Sequence, residues 1–174
     1  EYHKGSMKSV VAKAFPDARQ GNVVKLFKSH RSGFPDGGQL RDFVYVKDAV
    51  NVVLWFLDHP PASGLFNVGT GLARSFADLV RSLFAATCQP ERIEYIDMPI
   101  EIREKYQYFT QADLRKLRDV GCDLCFHSLE AGVAGLRIAV ADDHFARGGR
   151  PECFAAVEVA ARALGATARV TVAE

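Results

Sequence analysis

Segments rich in β-branched and aromatic residues alternate along this chain with stretches of helical apolar periodicity. Strands connected through helices are typical of α/β and α+β domains, so we predict a mixed α/β fold. A polar, glycine-rich loop is predicted over residues 29–40. The predicted strands are residues 23–27, 43–46, 65–68, 92–98, 136–141 and 168–172, and the predicted helices are 6–15, 48–57, 75–86 and 151–165.

Capping residues indicate where several helices begin and end. Ser6 is a candidate N-cap of the first helix, which Pro16 and Gly21 should end, and Asp48 is the predicted cap of the second. The other local predictions are capping boxes at 75–78 and 110–113, a C′ glycine at Gly121, a plain backbone turn at Gly69-Thr70-Gly71, and core positions at Trp55, Phe56 and Leu57.

The composition is that of a globular protein, with 48% apolar and 25% charged residues. The net charge of +1 gives no reason to expect nucleic acid as a partner. Residues 1–50 nevertheless hold nine Lys and Arg against five Asp and Glu. This basic part would suit an anionic ligand, although a solvated basic face explains it equally well. No apolar run approaches the roughly 20 residues of a membrane span, and the start resembles the middle of a longer chain.

The cysteines do not form a metal-binding pattern. Cys122 and Cys125 are a lone C-x-x-C pair, and His127 follows one residue too late for a haem-attachment motif. We therefore expect free, buried thiols and no metal. Reduced thiols and the lack of a secretion signal lead us to expect a cytoplasmic location.

Four segments carry a more specific pattern. RDFVYV at 41–46, followed by a helix and then GLFNVGTG at 64–71, resembles the extended short-chain dehydrogenases/reductases that act on nucleotide sugars. HKGSM at 3–7 and YQYFTQADL at 106–114 are more specific and resemble the epimerases of this family that act on ADP-linked heptoses. The resemblance covers residues 1–134 and implies the carboxy-terminal, substrate-binding part of the fold, with the Rossmann half missing.

This resemblance implies an NADP-dependent internal redox cycle in the synthesis of a lipopolysaccharide inner-core precursor. The nicotinamide takes hydride from C6 of the ADP-heptose and returns it to the opposite face, while the protein orients the sugar and moves protons. The full-length family is expected to form homo-oligomers.

Lys4 is the catalytic candidate implied by the resemblance, at the junction of cofactor and sugar. There it would act as a base or polarise an alkoxide, with a tyrosine partner that this chain lacks. The substrate-binding residues that the resemblance implies are Ser6, Lys13, Phe27, Lys28, Ser29, His30, Arg41 and Tyr106.

These substrate-binding candidates also have ordinary structural explanations. Phe27 would pack against adenine, or simply end a strand. The Arg41 guanidinium matches a diphosphate through two parallel hydrogen bonds, but it could instead pair with Asp42. Tyr106 would donate its phenol to phosphate or sugar, or be a half-buried aromatic residue. Lys13 stands where relatives carry a substrate-contacting histidine, so this contact is a departure from the pattern.

Two further departures limit the expected activity. The chain has no G-x-x-G-x-x-G turn and no Y-x-x-x-K pair, so we expect no epimerase activity from it alone, and exposed apolar surface where a partner domain would pack. Residues 135–174 form a separate predicted α/β appendage that weakly resembles a segment of the amidase signature family, without its Ser-Ser-Lys machinery. We expect residues 136–174 to pack loosely.

Two alternatives to a heptose epimerase remain open. One is another nucleotide-sugar epimerase or dehydratase with the same fold. The other is a non-catalytic nucleotide- or anion-binding domain, in which Arg41 and the basic first fifty residues bind without chemistry. An amidase fragment, suggested by residues 136–174 alone, is a third and weaker possibility.

Overall fold

A computed structural model of the chain describes residues 8–60 and 64–135. The chain divides into two compact units, Glu1–Ala134 and Gly135–Glu174, and the description below concerns the first. The predictions for Lys4, Ser6 and residues 136–174 lie outside the described residues. The elements in chain order are α1 (Val10–Arg19), β1 (Val24–Phe27), β2 (Leu40–Arg41), α2 (Val46–Asp58), β3 (Arg74–Ser75), α3 (Phe76–Ala86), β4 (Ile93–Ile96), α4 (Ile100–Arg103), α5 (Arg115–Asp119) and α6 (Leu129–Ala134).

Two small strand pairs organise the described residues, which confirms the mixed α/β prediction. Strands β1 and β4 are parallel, with Val24 opposite Ile93 and Phe27 opposite Ile96. Strands β2 and β3 are antiparallel. A single parallel bridge from Leu40 to Phe109 brings the segment after α4 alongside β2.

The main apolar core lies between helices α1, α3 and α6 and strand β1. Helix α3 supplies more of its residues than any other element, because the apolar residues of α3 recur at helical spacing. Leu83 and Phe84 are almost completely buried, and full burial of such side chains stabilises a fold by roughly 1.5–3 kcal/mol each. A second cluster forms around Val52, Leu117 and Cys122.

The start of α3 is the capping box expected from the sequence. The Ser75 hydroxyl accepts from the Asp78 amide at 2.9 Å, and the Asp78 carboxylate accepts from the Ser75 amide at 3.2 Å. Arg74 joins Asp78 to Glu130 at 3.3 and 2.8 Å, which links α3 to α6.

Replacing Ser75 with alanine should therefore destabilise the unit by about 1 kcal/mol, the usual loss when an N-cap hydroxyl is removed. Urea unfolding should show a lower midpoint with an unchanged slope. Ser32→Ala, in the exposed loop, is the matched control and should leave the midpoint where it is. Equal midpoints for the Ser75 variant and the wild-type chain would contradict this role of the box.

Helix α1 corrects two local predictions. Its N-cap is Ser9, whose hydroxyl accepts from the Ala12 amide at 3.2 Å. Pro16 does not end the helix but lies inside it, because packing of α1 against α3 and β1 outweighs one lost backbone hydrogen bond. Gly21 does follow the end, at φ +68°, where a left-handed residue closes the last turn.

The segment from 43 to 48 was also predicted wrongly. Residues 43–45 are not a strand, and α2 already begins at Val46 with Tyr45 as its N-cap. Asp48 is buried in the first turn of α2 and does not cap it. Its carboxylate accepts from the His127 amide at 2.8 Å and lies 2.7 Å from the His127 Nδ1. Asp48 therefore fastens the chain just before α6.

Two other predicted elements, a strand at 65–68 and a capping box at 110–113, do not form in the described residues. Residues 65–68 pair with no strand among the described residues, and the box predicted at 110–113 is absent because α5 begins at Arg115. The Asp113 carboxylate accepts from the Arg115 amide at 3.0 Å instead. Gly121 is confirmed as the C′ residue of α5, after the C-cap Val120, with φ +88°.

Helix α2 presents an apolar stripe to solvent. Leu57, predicted as a core residue, is 70% exposed. The other members of the stripe are Val46, Val50, Val53 and Leu54. Their spacing is that of one helix face, so these exposed side chains form one apolar stripe along α2.

Candidate functional site

The carboxyl ends of the parallel strands β1 and β4 lead into a group of aromatic rings around one arginine. We call this group, made of Phe27, Arg41, Phe76, Tyr106 and Tyr108, the aromatic–arginine cluster. The Arg41 guanidinium carbon lies 5.5 Å from the Tyr106 ring centroid and 5.6 Å from that of Phe76. Tyr106 meets Phe27 and Tyr108 edge-on at 6.2 and 5.8 Å. The ends of parallel strands are the usual place for ligands in α/β sheets.

Arg41 is oriented by the rings and not by an acid. Its Nη1 donates to the Leu40 carbonyl at 2.8 Å, and no carboxylate of residues 8–60 or 64–135 lies within ion-pair distance of it. The pairing with Asp42 considered from the sequence does not form. A guanidinium held by stacking keeps its remaining N–H donors available for an anion.

Tyr106 is half-buried in the cluster. Burial raises the pKa of its phenol above the ordinary value; the Arg41 charge opposes this rise, and Tyr108 adds to it. The phenol therefore stays protonated at neutral pH and can donate a hydrogen bond.

The segment after β1 is tied to the same cluster. The His30 amide donates to the Tyr108 hydroxyl at 2.9 Å, and the Ser29 amide donates to Asp36 at 2.7 Å. The Lys28 ammonium lies 3.5 Å from Asp97, and both side chains are partly exposed. The structure therefore brings together the neighbouring candidates from Phe27 to His30 with Arg41 and Tyr106, which are far apart in the sequence.

Gln39 is a supporting residue that the sequence prediction missed. It is 1% exposed, and its Nε2 donates to the carbonyls of Phe27 and Lys28 at 3.4 and 3.3 Å. Tyr108 was missed as well, although it lies only two residues from Tyr106, and the two rings are 5.8 Å apart in the structure. A buried amide within a loop has no sequence pattern that would have indicated Gln39.

Asp42, which follows Arg41 in the chain, holds two distant segments through hydrogen bonds to its carboxylate. Its carboxylate accepts from the Thr70 amide at 2.8 Å, the Thr70 hydroxyl at 2.6 Å, the Gly71 amide at 2.9 Å and the Ala112 amide at 3.0 Å. A Cβ on Gly69 would lie 2.7 Å from an Asp42 oxygen, so the close approach requires glycine. Burial raises the Asp42 pKa, but these hydrogen bonds outweigh it and hold the pKa below its usual range.

The same contacts decide whether glycine-rich turns of the described residues can bind the phosphates of a dinucleotide. A pyrophosphate cradle needs free backbone N–H groups, and those of Thr70 and Gly71 already bind Asp42. The Gly37 amide donates to the Phe27 carbonyl at 3.1 Å. These two glycine-rich turns of the described part therefore do not fit the phosphates of a nicotinamide cofactor.

The remaining candidates are not joined to the cluster. Lys13 is exposed on α1, and no hydrogen bond or ion pair links it to the cluster. Lys4 and Ser6 lie outside the described residues. Cys122 is free and buried, whereas Cys88 and Cys125 are free but exposed, contrary to the expectation of buried thiols.

Two kinds of feature are absent from residues 8–60 and 64–135. No group of three or more His, Cys, Asp and Glu side chains there is placed to hold a metal ion. None of the helices in this part is both long and apolar enough to cross a membrane.

Known proteins resemble most of the chain. A model of the NAD dependent epimerase/dehydratase family matches residues 1–69. An ADP-L-glycero-D-manno-heptose-6-epimerase of Nitratidesulfovibrio vulgaris strain Hildenborough is 50% identical over 147 residues, which are 83% of this chain and 46% of that protein. The Fusobacterium nucleatum protein of the same name is 45% identical, over 76% of this chain and 42% of its own length.

Solved structures agree on the fold. The Helicobacter pylori ADP-L-glycero-D-manno-heptose-6-epimerase has a TM-score of 0.59 at 29% identity, covering 76% of this chain and 38% of that one. A UDP-Glc/GlcNAc 4-epimerase of Campylobacter jejuni has a TM-score of 0.60 at 19% identity, covering 77% and 42%. The chain thus spans less than half the length of these relatives. By these matches it belongs to the NAD dependent epimerase/dehydratase family and has part of the fold of an extended short-chain dehydrogenase.

Proposed function

We propose that this chain supplies the substrate-binding part of a cytoplasmic, NADP-dependent epimerase that inverts C6 of an ADP-heptose. The aromatic–arginine cluster carries the proposal, because Arg41 is preorganised between rings and no acid of residues 8–60 or 64–135 pairs with it. The cluster combines aromatic faces suited to adenine with a guanidinium suited to a diphosphate. Relatives 45–53% identical to this chain are named as heptose epimerases, which favours this substrate over other nucleotide sugars.

In this proposal the described residues bind and orient the substrate. Phe27 packs against the adenine, Arg41 holds the diphosphate with two parallel hydrogen bonds, and the protonated Tyr106 donates to a phosphate or sugar oxygen. Lys28 and His30 face the phosphates from the end of β1. A fixed diphosphate positions the sugar for reaction, and the hydride chemistry is that of the nicotinamide.

Lys4 and Ser6 complete the proposed site at the sugar. Lys4 would move a proton or stabilise the alkoxide, and Ser6 would contact the substrate. Lys13 is a weaker candidate, since its exposed position on α1 has no contact with the cluster. We also propose a homo-oligomeric assembly for the complete enzyme.

An activity assay tests the catalytic part of this proposal. The chain alone should not epimerise an ADP-heptose, whereas mixing it with the portion of the Nitratidesulfovibrio relative that it does not match, plus NADP, should restore turnover. Proton NMR of the sugar distinguishes the two C6 epimers. Turnover by the chain alone would contradict the division of roles.

The non-catalytic alternative uses the same aromatic–arginine cluster, which would bind a nucleotide without chemistry. A pure binding domain would bind ADP through Arg41 yet give no turnover in the mixture. Wild-type ADP binding without restored turnover would therefore favour the binding domain over the enzyme part.

A further inference from the structure

A second arginine lies against the aromatic–arginine cluster on the Tyr108 side. The Arg31 guanidinium carbon is 5.7 Å from the Tyr108 ring centroid and 5.8 Å from that of Phe34. Phe34 itself packs on Tyr108 at 5.1 Å. Arg31 is exposed, so its outer edge faces solvent.

The backbone around Arg31 is fixed by several hydrogen bonds. The Ser29 hydroxyl donates to the Arg31 carbonyl at 3.0 Å and accepts from the Arg31 amide at 3.2 Å. The Phe34 amide donates to the same carbonyl at 3.4 Å. The neighbouring His30 amide is bonded to the Tyr108 hydroxyl. Arg31 is therefore positioned before any ligand arrives, which lowers the entropy lost on binding.

The sequence around Arg31 contains little negative charge. Asp36 is the sole acid in residues 28–41, and its carboxylate accepts from the Ser29 amide. Within the described ranges no carboxylate lies within ion-pair distance of the Arg31 guanidinium. Lys28, in contrast, has Asp97 as a partner. Arg31 and Arg41 are thus two cations that lie over aromatic rings and that no acid in the described part of the chain neutralises.

The two arginines are linked through a pair of tyrosines. The Tyr106 and Tyr108 rings contact each other edge-on, with centroids 5.8 Å apart. Arg41 lies over the first ring and Arg31 over the second. A guanidinium whose face rests on a ring keeps its edge donors for phosphate oxygens.

We propose that Arg31 is a second phosphate-binding residue of this site, gripping the nucleotide diphosphate from the Tyr108 side while Arg41 grips it from the Tyr106 side. This inference rests on the proposed function, and it adds a binding residue and a preference for nucleoside diphosphates over uncharged nucleosides. The loop 29–38 then serves as one wall of the ligand site.

Calorimetric titration of the full chain with ADP tests this role. Arg31→Gln should weaken ADP binding about tenfold or more, as expected for a lost charge-assisted hydrogen bond, and Arg31→Lys should recover part of it. The difference should shrink at high salt. Arg92→Gln is the matched control, since Arg92 is exposed at the opposite end of β4, and it should bind ADP like the wild-type chain.

The binding results distinguish a failure of the Arg31 inference from a failure of the proposed function on which it rests. Wild-type affinity in Arg31→Gln, together with weak binding in Arg41→Gln, would overturn the role of Arg31 and leave the proposed function intact. No ADP binding by the wild-type chain would overturn both. Arg31→Lys guards against a folding artefact, because it keeps the charge and the alkyl stem; it should unfold at the wild-type urea midpoint.

Discussion

Replacing Asp42 with alanine should destabilise the first unit by about 3 kcal/mol. The change removes the acceptor for three backbone amides and one hydroxyl, and each buried donor left unpaired costs roughly 1–3 kcal/mol. The total is smaller than the separate losses because Asp42 is only partly buried and water can reach the freed donors. The urea midpoint should fall with an unchanged slope.

Glu94→Gln is the control for this variant. Its partner Lys25 is 3.9 Å away, and both side chains are more than half exposed, so the loss should stay within about 0.5 kcal/mol. An Asp42→Ala midpoint equal to that of the control would show that the carboxylate does not fasten the Gly69-Thr70-Gly71 turn.

The pH dependence of stability follows from the same carboxylate. The folded-state pKa of Asp42 lies below its ordinary value of 3.8. Its contribution is therefore complete above that value and is lost as the pH falls through the folded-state pKa. Asp42→Asn should reduce the loss of stability below pH 4, measured as the difference between the two chains, because other carboxylates titrate in both.

Replacing Arg41 with alanine should weaken ADP binding by about 10- to 100-fold, the range for a lost hydrogen bond to a charged group. Arg41→Lys should recover only part of the affinity, because an ammonium cannot form two parallel bonds or stack in the same way. Calorimetric titration measures both variants, with Arg92→Gln as the control. Equal affinity of Arg41→Ala and the wild-type chain would remove the central contact of the proposed site.

Local chemistry made some elements predictable from the sequence. The Ser75 box and the glycines after α1 and α5 were predicted correctly because their signals act over a few residues. Asp48 and residues 110–113 were predicted wrongly for the opposite reason. Each offers a good local cap, but Asp48 binds His127, 79 residues away, and the Ala112 amide binds Asp42, 70 residues away.

The candidate site likewise contains residues that motifs indicated and residues that no motif indicated. Arg41, Phe27 and Tyr106 were found through motifs, and the fold brings them together at the ends of β1 and β4. Arg31 and Gln39 were not indicated by any motif, because their contacts with Tyr108 and with the Phe27 carbonyl depend on how the loop folds. A glycine-rich loop gives no indication that it will fold back on Tyr108.

The most direct measurement is a titration of the isotope-labelled chain with ADP, followed by backbone amide NMR. Shifts should concentrate in residues 27–31, 41 and 106–108, and the amides of Arg92 and its neighbours should stay unchanged. No shifts, or shifts confined to residues away from the aromatic–arginine cluster, would contradict the assignment of this cluster as the nucleotide site.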